Sequence, residues 1–171
     1  TSRGVRNAVV WLNPKPEQMG SEELTTKTGS QFEFRRCQIE PSLVLVSRGA
    51  RVVFTNLDSV IHYVEVKASK AATRTFTLPA VGSSEFLRPT ELGFYEVRCK
   101  RHPWESATIV VADHPYYTVT DSSGRFTLEG VAPGVYTLHV WHGGMGATPI
   151  REGGLVRGYR FSDPVQARKR V

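Results

Sequence analysis

Cys99, His102 and Glu105 stand on one short stretch, Cys99-Lys-Arg-His102-Pro-Trp-Glu105, and a second imidazole, His62, lies upstream. A thiolate is a soft donor, an imidazole nitrogen a borderline one, and a carboxylate oxygen a hard one. Two histidines and one cysteine form the trigonal set that copper electron-transfer sites use, and the same donors also suit zinc. Cys99 as a small core residue with incidental histidines is the plain alternative. What weighs against it is the setting. The stretch follows a strand-like run at 93–98 and precedes another at 107–111, so thiolate and imidazole share one loop between two strands.

Positioning such a loop needs a rigid frame, and the chain reads as an all-β one. Strand candidates are 7–12, an alternating run from Phe32 to Ile39, 43–46, 51–54, 62–66, 73–78, 84–87, 94–98 and 107–111. Arg48-Gly49 between the third and fourth reads as a hairpin signal, and 56–59 as a turn. Short strands at this spacing suggest a sandwich or barrel. Residues 15–30 read as a polar loop or linker. Beyond His114-Pro115 the texture changes. A tight hairpin is expected from 117–120 and 125–128 around Asp121-Ser-Ser-Gly124, then a Pro133-Gly134 turn and an alternating strand at 135–141. The end is Gly-rich and then basic. No amphipathic helix of useful length and no repeat is visible.

The bulk composition sets limits on function. The 171 residues suffice for one good core or two small ones, and a hydrophobic content of 40% is that of an ordinary globular protein. Net charge is +6, so an acidic partner surface is plausible, but the charge is not gathered into a nucleic-acid motif. No apolar run reaches the roughly 20 residues of a membrane-spanning helix. No signal peptide is seen, and the start at Thr1 without Met suggests a processed or trimmed product. No nucleophile elbow, phosphate loop or paired-carboxylate motif is present, so the chain is not read as an enzyme.

The stretch from about 30 to 112 resembles the cupredoxins, the plastocyanin, amicyanin and azurin group. The matching residues are Ile39-Glu-Pro41, Val46-Ser-Arg-Gly49, Val52-Val-Phe54-Thr-Asn56, His62, Leu78-Pro79, Gly82, Gly93-Phe-Tyr95 and Cys99-x-x-His102-Pro-Trp. The ligand loop is most similar to that of amicyanin, Cys-x-x-His-Pro-aromatic-Met. This resemblance implies a cupredoxin-like Greek-key sandwich in which His62, Cys99 and His102 are ligand positions and Glu105 occupies the axial Met position. The rest resembles the carboxypeptidase regulatory-like, or transthyretin-like, β-sandwich. Ala8-Val-Val stands for its first strand, and Thr120-Asp121-Ser-Ser-Gly124-Arg-Phe126-Thr-Leu128 for its next motif. The implied organisation is 1–14 with 114–150 as the small transthyretin-like sandwich, 29–113 as the cupredoxin-like domain set into it, and 151–171 as a basic C-terminal tail. By analogy such fusions are exported, periplasmic or extracellular proteins linked to electron transfer.

Several alternatives stay open on the residues themselves. Glu105 as a ligand would favour Cu(II), lower the potential and make the site zinc-tolerant, as in the red copper of nitrosocyanin-like proteins. Alternatively it turns to solvent and pairs with Arg101, or its presence marks a metal-free module. Cys37 is expected on an alternating strand, sharing a face with Ile39 as a buried thiol. A disulfide to Cys99 or a place beside the metal is the other reading. His114 and His142 are taken as structural or exposed, and Met145, in a Gly-rich loop, is not moved into the axial position. Arg98, Lys100 and Arg101 offer either a docking face for an acidic redox partner or a solvated basic edge. The rival function is a metal-free structural or interaction subunit of an exported assembly, for which the arms 13–30 and 143–171 are suited.

Overall fold

The computed structural model describes residues 4–13, 30–68, 71–143, 147–152, 155–161 and 165–170, with side chains omitted for 147–166. The described chain is all β: β1 (Val9–Asn13), β2 (Gln31–Arg35), β3 (Gln38–Glu40), β4 (Leu43–Ser47), β5 (Val52–Asn56), β6 (His62–Ala68), β7 (Arg74–Leu78), β8 (Ser84–Leu87), β9 (Gly93–Cys99), β10 (Ser106–Ala112), β11 (Tyr117–Val119), β12 (Thr137–His142), β13 (Ala147–Glu152), β14 (Leu155–Phe161) and β15 (Val165–Arg170). Among the described residues no helix is long and apolar enough to cross a membrane. Two compact units divide the chain: 1–25 with 114–146 and 161–171, and 26–113 with 147–160.

In the larger unit two sheets face each other, in the orders β3-β2-β5-β8 and β4-β10-β9-β6-β7. The chain crosses between them repeatedly, so β2 pairs parallel with β5 and β4 parallel with β10. This is a crossed, Greek-key kind of connection. The alternation of β5, β6 and β9 decides which side chains enter the space between the sheets. Phe32, Phe34 and Phe54 from one sheet meet Val64, Val66, Val97 and Ile109 from the other in a single buried cluster. Each such side chain contributes about 1.5–3 kcal/mol by leaving water.

Two expectations for this unit are corrected. The run from Phe32 to Ile39 is a hairpin: Arg36 and Cys37 form its turn at φ 54° and 53°, and Phe34 pairs with Ile39. Cys37 is therefore a half-buried turn residue and not a buried strand residue. Nor do 43–46 and 51–54 form a hairpin around Arg48-Gly49, because β4 and β5 lie in different sheets. Both hydrophobic runs need burial, and the Gly49 turn (φ 76°) carries the chain from one layer to the other.

The smaller unit has the sheet order β11-β1-β12-β15. Val9 pairs with Val119 on one side and Trp141 on the other. Trp11 stacks between Tyr117 and His139, at 5.6 and 5.0 Å between ring centroids. The turn at Asp121–Gly124 forms, but 125–128 is not a strand, and β11 pairs with β1 instead. Residues 165–170 are likewise no loose tail: β15 pairs with β12 from Thr137↔Arg170 to His142↔Val165. The boundary expected at 150 also moves, since 147–160 groups with the larger unit, where β13 and β14 pair. Residues 15–29 and Met145 lie outside the described residues.

Candidate metal centre

β6 and β9 are antiparallel neighbours, and Val64 pairs with Cys99. The first residue of β6, His62, and the last of β9, Cys99, therefore emerge at the same end of one sheet. The chain then turns and re-enters the sheet as β10. This turn is tied by its own backbone: Cys99 N–H donates to Glu105 C=O at 3.2 Å, Glu105 N–H to His102 C=O at 2.9 Å, and Lys100 N–H to Tyr63 C=O at 2.8 Å. The short loop thus brings His102 and Glu105 back over the strand ends.

Four side chains converge there. His62 Nδ1 is 3.0 Å from Glu105 Oε2 and 3.3 Å from His102 Nδ1, and His102 Nδ1 is 3.3 Å from Glu105 Oε2. Cys99 Sγ is 3.6 Å from His102 Nδ1 and 3.9 Å from His62 Nδ1. Nitrogen, oxygen and sulfur donors held tetrahedrally at about 2.0–2.3 Å from one ion stand about 3.3–3.6 Å from each other. The group therefore has the size of a four-donor cage for one metal ion, and the donor chemistry fits copper or zinc. His62, Cys99 and Glu105 are at most 2% exposed and His102 is 9% exposed. Glu105 does not turn to solvent. Its other oxygen, Oε1, is buried without a hydrogen-bond partner.

Burial pushes the Cys99 thiol above its usual range, and the Glu105 side chain adds to this, against backbone contacts from His102, Tyr63 and Arg101 that lower it. In the absence of a cation the thiol form is favoured; a bound cation would reverse this.

Asp58 is the residue that sequence reasoning passed over, because Asn56-Leu-Asp-Ser reads simply as a turn. Its Oδ2 lies 3.4 Å from His62 Nε2, on the ring edge opposite the cage. Asp58 also accepts the amides of Arg36 (2.6 Å) and Cys37 (2.8 Å). Asn56, fully buried, holds this loop by donating to Val60 and Leu78 carbonyls and accepting from Asp58 N–H. Its signal in the sequence was a polar residue at an inward position of β5. Trp104 Nε1 donates to the Cys37 carbonyl at 2.9 Å. Cys37 and Cys99 are both free thiols, so the disulfide reading is not what the structure contains.

The cations beside the loop are partly neutralised. Lys100 Nζ pairs with Glu65 at 2.9 Å, and Arg98 pairs with Glu96. Arg101 is exposed. His142 is half-buried on β12; His114, also in the smaller unit, is buried and packs against Tyr117 at 4.7 Å. Neither belongs to the cage.

The model of the carboxypeptidase regulatory-like domain matches residues 98–157. That match includes Cys99, His102 and β10, although β10 pairs with β9 and β4, and β1 is the strand beside β12. No curated protein matches the chain. Similar solved structures include a purple cupredoxin from Nitrosopumilus maritimus, at 21% identity and TM-score 0.43, covering 49% of this chain and 100% of that one. A reduced mutant of amicyanin is 23% identical, with TM-score 0.43, and covers 48% of this chain and 80% of that one. The Cu(I) form of another amicyanin mutant is 20% identical at TM-score 0.43, covering 62% and 99%. The chain thus combines similarity to cupredoxins with a match to the carboxypeptidase regulatory-like domain.

Proposed function

We propose that this chain is a mononuclear copper protein of the cupredoxin type that carries electrons, with His62, Cys99, His102 and Glu105 as ligands. The carrying observation is the cage itself: four donors of the right kinds, buried at one end of a rigid sandwich and 3.0–3.9 Å apart. Copper bound there would supply a one-electron couple. The protein residues would do the rest. The strand ends fix His62 and Cys99, and the bonded loop fixes His102 and Glu105, so little rearrangement would accompany a change of charge. Asp58 beside His62 Nε2 would orient that ring and raise its basicity. His102 is the most exposed of the four and packs 5.4 Å from the exposed Trp104, which makes this edge the route for electron exchange.

Glu105 sets this site apart from one with a thioether in its place. A hard anionic oxygen favours the oxidised ion and lowers the potential. It also suits zinc, which is the competing resident. Arg101, with Lys100 and Arg98, would bias docking toward an acidic redox protein and make association weaken with salt. The same reading proposes an exported protein, periplasmic or extracellular, with the larger unit set into the smaller one.

The test is to titrate reduced, metal-free protein with Cu(II) while recording visible and electron paramagnetic resonance spectra. One equivalent with an intense thiolate-to-copper band is expected. Glu105→Met should then intensify the blue band and raise the potential. Wild type that binds no copper while Glu105→Met does would leave the structural-subunit reading in its place.

A further inference from the structure

We propose that a second cation position adjoins the first, built by Cys37, Asp58 and Glu105, with Glu105 shared between the two. The Cys37 sulfur and one carboxylate oxygen each of Asp58 and Glu105 lie within 4.8 Å of each other. Three groups that can carry negative charge converge, and among the described residues no lysine or arginine pairs with Asp58 or Glu105.

Two observations favour a cation there. Glu105 Oε2 is engaged with the two histidines, whereas Oε1 is buried with no partner. A buried acceptor left unmade is costly, so a positive group belongs beside it. Finally, the turn that presents Cys37 is strained. Arg36 and Cys37 both stand at positive φ without being glycine, a conformation that L side chains rarely adopt. It persists because Asp58 accepts both amides and Trp104 holds the Cys37 carbonyl. Bonds from two other segments therefore lock the thiol beside the carboxylates. Asp58 retains capacity, because a carboxylate offers about four acceptor positions and two amides use only part of them.

The donor set names the cation class. One thiolate and two carboxylates mix soft and hard character and bring charge for a divalent ion such as zinc. Cys37 is half-buried, so the position is open to solvent on that side and would keep a water ligand. The sharing of Glu105 would make a bridged pair, in which occupation of the outer position draws electron density from the carboxylate at the inner one.

The experiment uses the full chain loaded with one equivalent of copper, titrated with Co(II) as the probe. A second equivalent should bind with a new thiolate-to-cobalt band. Cys37→Ser should abolish that band and weaken cobalt uptake at least tenfold while leaving copper in place. Cobalt uptake without the band, or uptake unchanged in Cys37→Ser, overturns the proposal. Should copper not bind at all, the copper reading fails by itself, and the same titration on the Cys99→Ser protein tests the outer position alone. In unmutated protein, Zn(II) should slow alkylation of Cys37 at least tenfold; an unchanged rate overturns the proposal independently of any variant.

Discussion

Thr120, just before the turn at 121–124, and the loop at 99–105 each follow a strand, and each takes a polar side chain out of water. In the smaller unit Thr120 is 7% exposed, and its hydroxyl is used twice: it accepts from Ala8 N–H at 2.9 Å and donates to Val5 C=O at 2.6 Å. Asp121 Oδ1 accepts the amides of Ser123 and Arg125, at 2.7 and 2.9 Å. In the larger unit Glu105 and His62 are buried more deeply, yet each keeps an atom with no hydrogen bond. The first arrangement closes on itself and needs nothing further. The second leaves acceptor and donor capacity open to a ligand or a water. Buried polar groups with complete partners indicate structure; buried polar groups with directed, incomplete partners indicate binding.

The largest effect that would break this contrast is at Cys99. Cys99→Ser should lower copper affinity at least a thousandfold and remove the thiolate band, because a hydroxyl replaces the soft anionic donor. Thr120→Ala should do the reverse. It leaves copper spectra unchanged and costs about 1–3 kcal/mol in denaturant melts, through the buried Ala8 N–H that loses its acceptor. If Thr120→Ala alters the copper spectrum as much as Cys99→Ser does, the division of roles between the two regions is wrong.

Glu105→Gln sharpens the comparison by sign. In metal-free protein the amide oxygen still faces the two histidines and the amide nitrogen takes the place of the unpartnered oxygen, so stability should fall by less than about 1 kcal/mol, or rise. In the copper-loaded protein the same change should reduce affinity at least tenfold. A loss of several kcal/mol without metal would mean that Glu105 holds the loop as Thr120 holds its turn. A smaller effect is expected at Arg36. Arg36→Gly relieves positive φ but adds freedom to the unfolded chain, so the net gain should stay near 0–1 kcal/mol. A clear loss in thermal melts would show that the arginine side chain, and not Asp58, holds the turn.

The parts of this molecule that were legible in the sequence are those that depend on local chemistry. The Cys99-x-x-His102 loop, the alternation of β6 and β9 and the Asp121–Gly124 turn each follow from residues a few positions apart. The errors lie where a partner distant in the chain decides. Phe32 to Ile39 alternates well enough to be one strand, and Asp58 at the turn amides, with Trp104 at the Cys37 carbonyl, makes a hairpin of it. Arg125–Leu128 has a strand's pattern, yet Phe126 stays exposed and β11 takes the distant β1 as its partner. The basic end read only as a tail, but it pairs with β12 as an edge strand whose side chains at 167–170 are exposed, so the charge there protects the edge. Glu105 shows the same limit. Its position in the loop was plain, but whether it points inward depends on His62, which comes from another strand.

The smallest effect concerns the salt bridges that flank the metal end. Hydrogen bonds from Lys67, then Lys100, hold the Glu65 carboxyl below its usual range. A carboxyl whose folded-state value is depressed adds stability that is fully present above its unfolded value, about 4.3, and that disappears as pH falls through the folded value. Both lysines are more than half exposed, at 53% and 56%, so screening keeps the contribution under about 1 kcal/mol. Glu65→Gln should therefore be slightly less stable than wild type at pH 7, and the difference should vanish as pH falls through the depressed folded value and shrink in high salt. Asp121, whose carboxyl is likewise held low by the Arg125 and Ser123 amides, should titrate below the ordinary carboxylate range. Its backbone partners carry no net charge, so added salt should shift its midpoint much less than that of Glu65. Equal salt sensitivity of the two midpoints, read by carbon NMR of the carboxyls, would mean that long-range charge and not local bonding sets both values.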